Sequence, residues 1–215
     1  MTYLEAVNSV LRRLREDQAA TVLESSYSAL IGDIVNDAKK IVENSWNWTS
    51  LRGETSFDTV AGVSEYSLSG SGMNAVIKHA LNDTTNTDLT YQTKEYFDQM
   101  YFNQTPASGS PRLYTFIGTD DSDNLKIKLY PQPEGIYTLR FQIANPQGLL
   151  TADADKLNVP SHPVVQLAFA MALRERGETG GQSAVEQFAV ASTALSDAVA
   201  LDANKYPEET TYMVV

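Results

Sequence analysis

"LYPQPEGIYTLRFQIANP", Leu129 to Pro146, decides how this chain is organised. Leu139, Phe141 and Ile143 alternate with Arg140 and Gln142, the period-two pattern of a strand with one buried face. Just upstream, Leu125, Ile127 and Leu129 alternate with Lys126 and Lys128 in the same way. Pro131 and Pro133 mark the turn between the two runs, and Pro146 stops the second. With "RLYTFIG" before them, joined by "TDDSD", and with "PEG" as the second connection, these strands predict an antiparallel meander.

Working outward, the texture becomes helical on both sides. Near the start, Leu4, Val7, Leu11 and Leu14 are spaced three and four apart, with Thr2 and Glu5 placed as a capping box. From Ser25 to about Asn44 a longer stripe runs through Tyr27, Ile31, Ile34, Ala38 and Ile41, widened by Leu30, Val35 and Val42. Trp46 and Trp48 follow at the exit and are expected to plug the core. After the prolines, Ser161 is a candidate N-cap. The next run (Val164, Val165, Leu167, Phe169, Met171, Leu173) is apolar almost all round, which predicts a buried helix ended by Gly177. A last helix from about Gln182 to Ala203 carries Val185, Phe188, Ser192, Leu195 and Val199 as its stripe.

Between the helical pairs, "ETSFDTVAGVSEYSLSGSG" and "MNAVIKHAL" read as short strands, and "TKEYFDQMYF" as a short helix. The fold class expected is α+β. An antiparallel bundle of about four helices spans residues 1–48 and 147–203, with an antiparallel β-rich module inserted at 49–146. Residues 204–215 are expected to form an extended C-terminal tail. Pro207 blocks the helix there, and the chain closes in β-formers with little charge.

The chemistry suggested by composition is sparse. There are 16 basic and 27 acidic residues, a net charge of −11, so the chain as a whole repels polyanions. Arg12, Arg13 and Arg15 cluster on a short stretch that reads as a solvated helix face. With no cysteine, disulfides, thiolate metal sites and cysteine nucleophiles are excluded. No phosphate-cradling loop or nucleophile elbow occurs, and the two histidines, His79 and His162, read as structural. "DDSDN", Asp120 to Asn124, fails the calcium-loop pattern because Leu125 occupies the fifth position from Asp121, and it reads as a hairpin turn. Asp153 and Asp155, the candidate carboxylate pair for a hydrolase, fall in a loop expected to be solvated. The start lacks a signal-peptide pattern, and the longest apolar run is half what a membrane span needs, so a soluble protein is expected. No enzyme, cofactor or metal is expected.

Four stretches, in order, resemble the head-to-tail adaptors of short-tailed bacteriophages, the tail-tubular-protein-A-like family. They are "YLEAVNSVLRRLRE", "DAKKIVENSWNWTS" with its aromatic exit, the opening stretch "LYPQPEGIYTLRFQIANP", and "LNVPSHPVVQLAFAMALRERG" preceded by the acidic loop. The resemblance implies a non-enzymatic virion protein of the neck, assembled in the host cytoplasm. It implies a dodecameric homo-oligomeric ring beneath the portal, joined to the tail nozzle, with genomic DNA passing through its channel without sequence-specific binding and no membrane involved. It also implies that the tail (Tyr206, Pro207, Thr210, Thr211, Tyr212, Met213, Val214, Val215) reaches the portal. The loops of the β-module, Asp120, Asp121 and Asp123 with Pro133, Glu134 and Gly135, are then expected to face the nozzle. The alternatives are another ring-forming virion protein, such as a head-completion or stopper protein, or a small non-enzymatic binding module.

Overall fold

The computed structural model describes residues 1–102, 106–177 and 182–205. The chain is α+β and separates into two compact units. One comprises Met1–Leu51 with the chain from Gln147 on, and the other is Arg52–Pro146.

In the helical unit, α1 (Tyr3–Arg13), α2 (Ser26–Ser45), α4 (Ser161–Glu175) and α5 (Gln182–Ala203) pack pairwise, α1 on α2 and α4, α2 on α4, and α4 on α5. The start of α1 is a complete capping box: Thr2 Oγ1 accepts from Glu5 N at 3.2 Å, and Glu5 Oε2 accepts from Thr2 N at 2.9 Å. Ser25 and Ser28 form a second box at the start of α2. The core takes Val7, Val10 and Leu11 from α1, Ile31, Val35, Ala38 and Val42 from α2, and Val164, Val165, Ala168 and Ala172 from α4.

Several expectations about these helices are corrected. Ile41 and Leu30 of the α2 stripe are exposed, because Val35 and Val42 already occupy the inward face. Of the two tryptophans only Trp48 plugs the core, at 1% exposure, and its Nε1 donates to Val42 O at 2.8 Å. Trp46 is the extended C-cap of α2 and is 37% exposed. Ser161 makes no cap, since Pro160 holds the N-cap position without a side-chain bond. On α4 the small residues Ala168, Ala170 and Ala172 are buried, whereas Leu167, Phe169, Met171 and Leu173 are half-buried. On α5 the inward positions are Ala184, Ala191 and Ala194, while Val185 and Ser192 are exposed. Alanines on both helices let their backbones approach closely, and this displaces the larger side chains to the flanks. Gly177, at φ 77°, follows α4 as expected.

The second unit holds two four-stranded sheets. One has the order β1 (Arg52–Asp58), β10 (Thr138–Ala144), β3 (Val76–Asn82), β4 (Thr87–Asp88). The other has the order β2 (Glu65–Ser67), β8 (Leu125–Tyr130), β7 (Leu113–Thr119), β5 (Thr90–Tyr91). Pairings are antiparallel apart from β5 with β7 and the two-residue pair of β6 (Ser108–Gly109) with β9 (Gln132–Pro133). The short helix α3 (Lys94–Phe102) packs on β7 and buries Phe97.

The meander does not form. β7 and β8 are a hairpin, but β10 belongs to the other sheet, between β1 and β3. The alternation is nonetheless as expected on both strands. Leu125, Ile127 and Leu129 enter the core from one sheet, and Leu139, Phe141 and Ile143 enter the same core from the other. Tyr114 and Phe141 meet edge-on across it, with ring centroids 5.6 Å apart. After β8 a cis Tyr130–Pro131 bond leads into β9, where Gln132 N donates to Ala107 O at 2.8 Å. The stretch Pro131–Tyr137 is longer than a tight hairpin needs and can carry the chain across the roughly 10 Å between packed sheets.

Candidate functional site

Two polar networks of the helical unit hold its own chain, one at Gln147–Leu150 and one at Thr49. At the first, Lys39 Nζ donates to Gly148 O at 2.6 Å and Gln147 O at 2.8 Å, and pairs with Glu43 Oε1 at 3.4 Å. Glu43 in turn accepts from Gln147 N at 3.3 Å. Burial pushes the Lys39 ammonium below its ordinary pKa and the Glu43 carboxyl above its own, and each partner opposes the other's shift. Two residues further on, Asn36 brackets Leu150, donating to its O at 3.1 Å and accepting from its N at 2.9 Å. Asn36 Nδ2 also reaches Tyr3 Oη at 3.2 Å, tying α1 into the same network.

At the second, Asp202 in the last turn of α5 accepts from Thr49 N at 2.9 Å, from Thr49 Oγ1, and from Lys205 Nζ at 2.8 Å. Burial pushes its carboxyl upward, but the bonds from Lys205 and Thr49 outweigh this and hold it below the ordinary value. Lys39, Glu43 and Asp202 all escape a reading by composition, since a Lys–Glu pair four apart usually marks a wet helix face. The available signal was position: Lys39 lies four residues after Val35 and three before Val42, inside the apolar stripe.

The acidic loop is not simply solvated. Asp153 Oδ1 accepts from Val22 N at 3.0 Å, and Asp155 Oδ2 accepts from the amides of Thr151 and Ala152, each at 2.8 Å. The loop's carbonyls cap α1, with Tyr3 N donating to Asp155 O at 2.7 Å and Leu4 N to Asp153 O at 3.2 Å. These two carboxylates serve the fold as acceptors.

The six β-module residues expected on one surface fall at opposite ends of that unit. Asp120, Asp121 and Asp123 lie in the β7–β8 turn, where Asp120 Oδ1 accepts from Ser122 N at 2.9 Å and Asn124 N at 2.8 Å. Asn124 Oδ1 accepts from Gly70 N at 3.1 Å, and Gly70 O accepts from Asn145 Nδ2 at 2.9 Å, so this turn sits at the end where the chain leaves. Pro133, Glu134 and Gly135 lie past the far end of β8, about 20 Å away for a strand of that length. There Thr59 Oγ1 donates to Gly135 O at 2.9 Å and Gly62 N to Pro133 O at 2.8 Å. The two linked turns present Val60, Val63 and Ile136 to solvent.

Tyr206, Pro207, Thr210, Thr211, Tyr212, Met213, Val214 and Val215 lie outside the described residues. His79, on β3, stands 3.4 Å from Asp88, and His162 is exposed in the first turn of α4. Among the described residues no group of three or more His, Asp or Glu side chains is disposed to hold a metal, and no helix is long and apolar enough to cross a membrane.

No curated protein matches this sequence. A family model described as SU10 adaptor protein matches residues 1–211, nearly the whole chain, so the chain belongs to the SU10 adaptor protein family, a family of phage structural proteins.

Proposed function

We propose that the chain is a head-to-tail adaptor that forms a ring beneath the portal, joins the capsid to the tail nozzle and leaves a channel for the genome. The observation that carries this reading is the family match over residues 1–211. The helical unit supports it. In this reading its four helices form an antiparallel bundle, and the apolar residues left outside serve ring neighbours: Val185, Val190 and Leu201 on α5, Leu30 and Ile41 on α2. A cyclic assembly uses two different faces of each copy, which fits exposed apolar residues on two helices. The net charge of −11 offers DNA few holding contacts in a channel. Twelve copies, portal engagement by Tyr206–Val215 and assembly in the host cytoplasm complete the proposal.

The test is the oligomeric mass of the purified protein, alone and mixed with its cognate portal protein. A ring in either sample that weakens when Pro207–Val215 is deleted supports both the ring and the role of the tail. Monomer in both samples overturns the reading.

A further inference from the structure

Among the described residues, β1 is the one long strand left at an edge of the two four-stranded sheets. It runs for 7 residues, whereas the edge strands β2, β4 and β5 have 3, 2 and 2. Thr59 N donates to Tyr137 O at 2.9 Å, one step beyond the pair Asp58–Thr138, and this fixes the phase of the β1–β10 ladder. Bonded pairs recur at every second residue of an antiparallel ladder. Gly53, Thr55 and Phe57 therefore turn their backbone groups toward β10, and Glu54, Ser56 and Asp58 turn theirs away from the sheet. These last three residues are exposed, and among the described residues their amides have no acceptor. An open edge is a template for pairing, and proteins usually blunt it with short strands, prolines, bulges or charges. The other three edges are short. β1 has no proline, and its register runs unbroken from Arg52 to Asp58.

We infer that β1 accepts an added strand from a partner protein, an extended segment in which basic and apolar residues alternate. The side chains on the edge select that partner. Glu54 and Asp58 lie on the outer face of the sheet, so the residues set opposite them are cationic. On the inner face Phe57 and Tyr66 stack with ring centroids 4.8 Å apart and are only half-buried, which leaves apolar surface for the alternate side chains. A second β1 is excluded as the occupant, because antiparallel edge pairing would set acid against acid. The chain's own stretch of the required pattern, Leu125–Tyr130 with Lys126 and Lys128, is already paired on both sides as β8. The segment therefore comes from another protein, and main-chain bonds to the three free amides and their carbonyls hold it.

The probe is a blocked peptide of about nine residues that alternates lysine and valine, long enough to span β1. Amide hydrogen exchange on the full chain reads the result residue by residue. The peptide is expected to slow exchange at Glu54, Ser56 and Asp58 by about tenfold and to leave Thr55 and Phe57, already bonded to β10, unchanged. A glutamate–valine peptide is expected to protect none of them, and Glu54→Lys with Asp58→Lys to reverse that preference. Ser56→Pro removes the middle donor where an edge strand tolerates proline, and is expected to cancel the protection. No protection by the lysine peptide, equal protection by both peptides, or protection that survives Ser56→Pro overturns the inference. None of these measurements involves ring formation, so the adaptor reading and this one can fail separately.

Discussion

Lys39 Nζ lies 3.4 Å from Glu43 Oε1, one turn along α2, and each side chain is only 2% exposed. The pair is completed by the two carbonyls and one amide of Gln147 and Gly148, where the chain returns from the β unit. Removing one partner of a buried pair leaves the other charge without compensation, at about 3–5 kcal/mol. Lys39→Met is therefore expected to lower stability by about that much in urea denaturation. Lys39→Met with Glu43→Leu is expected to recover most of the loss, because the stranded carboxylate is gone. A single variant as stable as wild type would show that water reaches the pair.

At Gly32 two effects of opposite sign compete. Alanine in a helix interior gains roughly 1 kcal/mol over glycine from propensity. A Cβ there, however, would lie 2.5 Å from Tyr3 Oη and 2.7 Å from Val22 Cγ1. Overpacking of a core costs about 1–3 kcal/mol, and here it also displaces the Tyr3 hydroxyl from Asn36. The clash outweighs the propensity gain, and Gly32→Ala is expected to lower the Tm. A raised Tm would mean that α1 slides freely on α2.

Trp48 and Trp46 are expected to separate in fluorescence. The single-tryptophan protein Trp46→Phe retains buried Trp48 and should emit to the blue and resist iodide quenching. Trp48→Phe, which retains exposed Trp46, should emit to the red and quench readily. Both exit positions look alike in "SWNWTS", and what divides them is the extended turn of the chain at Trp46.

The same limit governs what else could be read from residues alone. Helix positions follow from periodicity, and the capping box at Thr2 and Glu5 was legible because its chemistry is local. Alternation in β8 and β10 correctly predicted a buried face on each, yet it does not name the neighbouring strand. Leu129 and Leu139 share one core from two different sheets, a pattern that a hairpin would also produce. The candidate loops divide for the same reason: Asp120 and Gly135 are close in sequence, but β8 holds them apart. Asp202 was invisible because its value lies in Thr49, which is remote along the chain.

Asp155 makes a pH prediction. The amides of Ala152 and Thr151 hold its carboxyl below the ordinary 3.8. With a folded pKa lower than the unfolded one, its contribution is full above that ordinary value and is lost as pH falls through the lower, folded value. Thermal melts between pH 2 and 6, taken as a difference from wild type, should show a shallower acid loss for Asp155→Asn, confined to the region below about pH 4. Parallel curves for the two proteins would sink the assignment.

The proposed nozzle contact is expected at one end of the β unit only. Val60, Val63 and Ile136 are 58%, 40% and 73% exposed and sit on turns tied through Thr59 to Gly135 and Gly62 to Pro133. Three exposed aliphatic side chains on mutually braced turns present a fixed apolar patch, and exposed apolar patches mark surfaces that a partner can cover. The turn at Asp120–Asn124 is polar and spends its carboxylate on its own backbone. Val60→Asp with Ile136→Asp is expected to leave the melting temperature nearly unchanged, since neither side chain is buried, and to abolish nozzle attachment while ring formation persists. Asp121→Ala, at the opposite end, is expected to leave attachment intact. Loss of attachment in Asp121→Ala alone would place the nozzle at the end where the chain enters and leaves the unit, and would assign the apolar turns to another partner.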